Sequence, residues 1–111
     1  MSKKKSSEIK FSVTLDENNV PENIIWEAMD GKEKSESKSV FISIWDANEN
    51  NTLKIDLWTK EMNVDDMKRF FHQTLLSMSD TLKRATGEDK MANDMKDFCH
   101  HFAEKLNLLE K

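Results

Sequence analysis

The stretch TLKIDLWTKEMNVDDMKRFFHQTL, residues 52–75, changes its hydrophobic period part-way along. Up to Trp58 the residues alternate, with Leu53, Ile55 and Leu57 on one side and Lys54, Asp56 and Trp58 on the other, the pattern of a half-buried strand. Beyond it Met67, Phe70, Phe71, Thr74 and Leu75 recur at spacings of three and four, the period of a helix. Asn63 is placed to cap that helix, and Asp65 and Asp66 fall in its first turn, where the helix dipole favours negative charge. The switch divides the chain, with strands before it and helices after it.

Upstream, EIKFSVTL (residues 8–15) alternates strictly, with Ile9, Phe11, Val13 and Leu15 opposite Lys10, Ser12 and Thr14. DENNVP turns the chain, since Asp and Asn side chains bond the local backbone and Pro21 fixes φ after the bend. A second strand runs from about Glu22 to Met29, apolar on both faces: Ile24, Trp26 and Ala28 on one, Ile25 and Met29 on the other. DGKEKSESKS, residues 30–39, has no apolar residue and reads as a surface loop. VFISIW, residues 40–45, is the third strand, joined to the strand at 52–58 by a turn short enough for a hairpin.

Downstream, the helical stripe continues through Met78, Leu82 and Ala85 to Gly87, a residue suited to leaving a helix in the left-handed conformation. A second helix follows, over about 88–108, with Met91, Met95, Phe98, Cys99, Phe102, Leu106 and Leu109 on its inner stripe. The fold expected is α+β: a four-stranded antiparallel sheet followed by a C-terminal helical hairpin packed on one face. Residues 1–7 read as a disordered tail and 8–111 as a single domain.

Composition narrows the function classes. Two glycines in 111 residues leave no material for a glycine-rich phosphate cradle, and 21 acidic against 17 basic residues give no basic footprint for nucleic acid. The start, MSKKKSSEIKF, has no apolar run behind its lysines, so neither a secretory signal nor a membrane anchor is expected there. One cysteine without a partner fits a reducing compartment, and the expected location is the cytoplasm.

FCHHFAEKL, residues 98–106, sets that cysteine beside His100 and His101 and has to be tested as a site. On a helix, consecutive side chains fan apart by about 100°. Cys99 falls within the apolar stripe and His100 about 150° from the stripe's centre, so the three cannot share a metal. His72 reads as a boundary residue of the first helix. No catalytic residue, metal site or cofactor is expected, and the protein is read as a non-enzyme.

The outer sheet face is the candidate site. If Trp26, Ile42 and Leu57 point toward the helices, then Ile25, Met29, Phe41, Trp45 and Trp58 point away, because alternate residues take opposite faces. An exposed apolar patch of that size suggests a protein partner. Leu76 lies on the far side of the first helix, alongside Arg69 and Lys83, and marks a second contact. A symmetric dimer with Leu76 in or beside the interface is expected from the prevalence of two-fold pairing. If self-association instead buries the aromatic face, the chain is a purely structural homo-oligomer.

Three segments, LDENNVPENIIWEAMDG, IDLWTKEMNVDDMKRFFHQTL and MKDFCHHFAEKL, resemble the gliding-motility protein GldC of gliding bacteria. The resemblance covers nearly all of the chain outside the tail and residues 30–39. It implies a small accessory protein of the gliding machinery, a system linked to secretion of cell-surface proteins, and it transfers no catalytic motif. The order of four strands and two helices is also similar to that of the export chaperone SecB, whose subunits associate and hold unfolded clients on apolar grooves. That likeness implies chaperone-like binding of a client or of a component of the gliding or secretion machinery.

Overall fold

The computed structural model describes residues 4–28 and 31–109. The chain forms two compact units, Met1–Met62 and Asn63–Lys111. Among the described residues the first holds five strands: β1 (Ile9–Leu15), β2 (Pro21–Ala28), β3 (Glu33–Ser37), β4 (Ser39–Asp46) and β5 (Asn51–Trp58). The second, among its described residues, holds two helices, α1 (Val64–Thr86) and α2 (Asp89–Lys105). The α+β class and the order of strands then helices are as the pattern predicts.

The sheet itself corrects the expectation. In place of four strands in one sheet there are two antiparallel sheets, β1-β2-β3 and β4-β5. The segment read as a loop contains β3, which pairs with β2 from Ala28↔Glu33 to Ile24↔Ser37. An all-polar strand carries no hydrophobic period, so the alternation argument passes over it. What holds it is the backbone ladder of its neighbour, and on the face it shares with Ile24 it carries only small residues, Ser35 opposite Trp26 and the half-buried Ser37 opposite Ile24. Between β3 and β4 the chain breaks only at Lys38, where the Ser37 hydroxyl donates to the Ser39 carbonyl at 2.7 Å. The end of β5 is tied back at this corner: Thr59 N–H donates to Lys38 O at 2.8 Å and Lys60 N–H to Pro21 O at 3.3 Å.

The β1–β2 and β4–β5 turns use one chemistry. Asp16 Oδ1 accepts from the N–H of Asn18 and Val20, at 2.8 and 2.9 Å, while Asn19 takes φ 63°. Asp46 Oδ1 accepts from Asn48 N–H at 2.9 Å, and Asn50 takes φ 53°. Asparagine is the non-glycine residue best suited to that left-handed region, so the Asp-to-Asn spacing shapes each turn.

Asp16 is also paired with Lys60. The Lys60 ammonium, bonded to it, is the main cause holding its carboxyl below the usual range, with the Val20 N–H acting the same way, and the contact raises Lys60 in turn. A depressed carboxyl contributes stability above its unfolded value of about 4 and loses it as pH falls through the lower folded value. The raised Lys60 contributes below its unfolded value, about 10.4, and loses it as pH rises through the folded one. Lys60→Met, which keeps the Asp16 turn, should therefore flatten both limbs of the stability–pH profile. Urea midpoints across pH 3–11 read this directly, and limbs identical to wild type would show that the ion pair does not form in solution.

The helical unit follows the capping signals closely. Asn63 Oδ1 accepts from Asp66 N–H at 2.7 Å, and Gly87, at φ 75°, donates its N–H to Lys83 O at 2.9 Å. The second helix stops short of the expected 108. Asn107 adopts φ 57°, its N–H meets Glu104 O at 3.2 Å and Leu108 N–H meets Ala103 O at 2.8 Å, the paired bonds of a left-handed C-terminal cap.

The seam between the helices is built from small residues. Ser79 is fully buried on α1, as are Ala92, Cys99 and Ala103 on α2. His72 stacks on Phe102 with centroids 6.2 Å apart, and Lys96 Nζ lies 3.2 Å from Asp80, which fixes the antiparallel register. The Ser79 hydroxyl donates to Leu76 O at 2.6 Å, so its burial leaves no polar group unmet. The expected inner stripes are thus only partly buried: Phe71 and Met78 on α1, Met91 and Phe98 on α2, and Leu109 beyond the end of α2 are exposed. Each apolar arc is wider than one helix neighbour can cover, and close approach at Ser79, Ala92, Cys99 and Ala103 selects which sector goes inside.

Candidate protein-binding surfaces

The β4–β5 register decides how the predicted aromatic residues stand. Ser39 pairs with Trp58, Phe41 with Asp56, Ser43 with Lys54 and Trp45 with Thr52, and directly opposed residues share a face. Phe41, Trp45 and Trp58 therefore do lie on one side of this hairpin. Trp45 is 66% and Trp58 54% exposed, while Phe41 is half-buried. They do not form the contiguous patch expected. Six residue steps, about 20 Å at a strand's rise, separate the tryptophans. The space between is polar: Lys54 Nζ lies 3.2 Å from Asp56 and 6.0 Å from the centroid of the Phe41 ring.

The remaining predicted residues are placed elsewhere. Ile25 is half-buried in the other sheet, opposite Ser12 and Glu36, so no strand pairing joins it to the tryptophans. Met29 lies outside the described residues. Leu76 is 39% exposed on α1. By helical angle it stands well away from Phe71 and Met78, on the side carrying Arg69 and Lys83.

Two apolar surfaces escaped the outward assignment. On the reverse of the β4–β5 hairpin, Val40, Ile42, Ile44, Leu53, Ile55 and Leu57 form an unbroken aliphatic face. Val40 is buried, but Ile44, Leu53 and Ile55, toward the turn, are about half exposed. On the helical hairpin, Leu75, Met91, Asp94, Met95, Phe98 and Cys99 line a groove of about 300 Å³ with a single charged side chain. Exposed Met91 and Phe98 are the signal that could have revealed it, had their stripe not been assigned wholly to the interior.

The titratable side chains offer little chemistry. Burial pushes the Cys99 thiol up, which leaves little of the thiolate that nucleophilic attack or metal ligation requires. His100 Nε2 lies 3.1 Å from its helical neighbour Glu104, and His101 packs on Phe98 at 6.1 Å between centroids. Among the described residues no three His, Cys, Asp or Glu side chains are grouped to hold a metal ion, and no helix is long and apolar enough to cross a membrane.

The family model for gliding motility-associated, GldC-like proteins matches residues 21–108. The chain belongs to this GldC-like family. The match bears out the resemblance carried by the three quoted segments and links the protein to gliding motility. It runs from the start of β2 to just beyond α2, so the GldC-like region includes Trp45, Trp58 and the helical groove, while β1 precedes it. Comparison with curated proteins and with solved structures found no match to this chain.

Proposed function

We propose that this GldC-like protein is a non-enzymatic accessory component of gliding motility and of the protein export associated with it, working in the cytoplasm. Its task in this reading is to bind a polypeptide, either a component of the gliding or secretion machinery or an unfolded export client. The observation that carries the reading is the placement of Trp45 and Trp58 on one hairpin face, both more than half exposed and about 20 Å apart. That separation suits an extended segment of about six residues laid along the hairpin, with an apolar side chain anchored at each tryptophan and its backbone over the polar middle. Tryptophan is the commonest energetic anchor of such contacts. Chaperone-like use of the surface, by analogy with SecB, is part of the same proposal, and the methionines around the helical groove, able to repack against varied partners, support it.

A Trp45→Ala, Trp58→Ala double variant tests the surface. Truncating a hot-spot residue costs about 2 kcal/mol, so partner affinity should fall about 100-fold or more for the pair. Co-purification from gliding cells, followed by titration of the captured partner, measures it. Undiminished binding would remove this face from consideration. The second reading, a structural homo-oligomer in which self-association buries the aromatics, draws on the exposed apolar groove of the helices. An oligomer by light scattering whose tryptophans are all shielded from an aqueous quencher would favour it over client binding. In this reading Leu76 lies in or beside a two-fold contact.

A further inference from the structure

The two outer strands of the three-stranded sheet are guarded very differently. An outer strand turns the N–H and C=O of every second residue away from its neighbour, and an open row of such groups is a template for another strand. β3, EKSES, carries Glu33, Lys34 and Glu36 among five residues and no apolar side chain, the usual protection for an edge. β1, IKFSVTL, carries one charge, Lys10, and neither proline nor glycine. It pairs with β2 alone among the described residues. Its apolar row faces the same side as Ile24, yet Ile9 is 70%, Phe11 42% and Leu15 48% exposed. This edge is long, of high strand propensity and open.

We propose that β1 pairs antiparallel with β1 of a second copy across a two-fold axis at Ser12, joining two three-stranded sheets into one of six strands. The occupant is a second copy because the strand complements itself. With the axis at Ser12, all seven residues pair: Ile9 lies opposite Leu15, Lys10 opposite Thr14, Phe11 opposite Val13, and Ser12 opposite its own copy. The Phe11–Val13 and Ile9–Leu15 pairs each occur twice, aromatic against β-branched and aliphatic against aliphatic, the combinations that stabilise neighbouring strands. No charge opposes a like charge within the strand. An axis at Lys10 would set two ammonium groups face to face, and an axis at Phe11 would leave Leu15 opposite Ser7, outside the strand. A shift by one residue would turn the apolar row of one copy onto the polar face of the other. Just beyond the strand, Glu8 would meet Asp16, whose charge Lys60 already offsets.

β1 precedes the region matched by the family and contains none of Trp45, Trp58 and Leu76, so the pairing is tested by variants that leave the partner-binding residues unchanged. The test uses the full chain with Cys99→Ala, which removes the only native thiol, and adds Ser12→Cys. Directly opposed residues of an antiparallel pair have Cα atoms about 4.5–5.5 Å apart, within disulfide range. Mild oxidation at micromolar concentration should convert Ser12→Cys into a covalent dimer, whereas Ser35→Cys on β3 in the same background should stay monomeric on a denaturing gel. A mixture of Lys10→Cys and Thr14→Cys copies should cross-link to each other far more than either does to itself. Phe11→Lys should halve the sedimentation mass while its far-UV spectrum stays native, and Trp45→Ala, Trp58→Ala should leave the mass unchanged. A monomeric wild type, or a dimer that Ser12→Cys does not cross-link, would overturn the pairing.

Discussion

Replacing Ile24 by alanine should destabilise the strand unit by about 2–5 kcal/mol, the range for truncating a fully buried aliphatic side chain. Ile24 has no exposed surface and sits in the central strand β2, flanked on its own face by Val13 of β1 and Ser37 of β3. Ser37 is too small to fill the space vacated, and strand pairing on both sides holds the backbone in place, so a cavity would persist. Against a whole-protein stability of about 5–15 kcal/mol, this is a large fraction. All three tryptophans fall within residues 1–62, so their fluorescence in a denaturant titration reports on this unit. The midpoint should fall sharply, with Ile24→Val costing only about 0.5–1.5 kcal/mol. Equal effects of the two variants would indicate that burial at this site is not what holds the sheet.

Ser79→Leu should be the most damaging single change in the helical unit, by about 1–3 kcal/mol or more. Ser79 is fully buried in a seam where α2 also presents small residues, Ala92, Cys99 and Ala103. Three added carbons have nowhere to go without separating the helices, which would pull His72 from Phe102 and Lys96 from Asp80. Ser79→Ala is the informative control: it removes the hydroxyl together with the need for its bond to Leu76 O, and should change stability by no more than about 1 kcal/mol. Helical circular dichroism through thermal unfolding measures both. A leucine variant as stable as wild type would mean that the helices do not meet closely at Ser79.

Helix and strand boundaries were largely legible because their causes are local. Alternation placed β1, β2, β4 and β5 within a residue or two, and Asn63 and Gly87 bounded α1 through caps built from the residues at those positions. The C-terminal limit of α2 was local too, but it rests on Asn107 adopting a conformation more often signalled by glycine. Side-chain parity put Phe41, Trp45 and Trp58 on one face of the hairpin, as observed. The three segments quoted above carried the GldC resemblance.

Burial and strand pairing were not legible, because they depend on residues far apart in the chain. β3 has no apolar period of its own, and its existence depends on the backbone of β2 and on serines that fit beside Trp26 and Ile24. Lys54 and Asp56 share the face of Trp58 by alternation alone, but only the pairing register sets them between Trp45 and Trp58. Likewise, periodicity marks a broad apolar arc on each helix, whereas the sector that becomes seam is chosen by where small side chains on both helices coincide. That choice buries Ser79 and leaves Met78, its neighbour, in solvent. One-dimensional spacing specifies which residues share a face; only the second surface brought against that face, with its own shape and volume, decides which of them leave water.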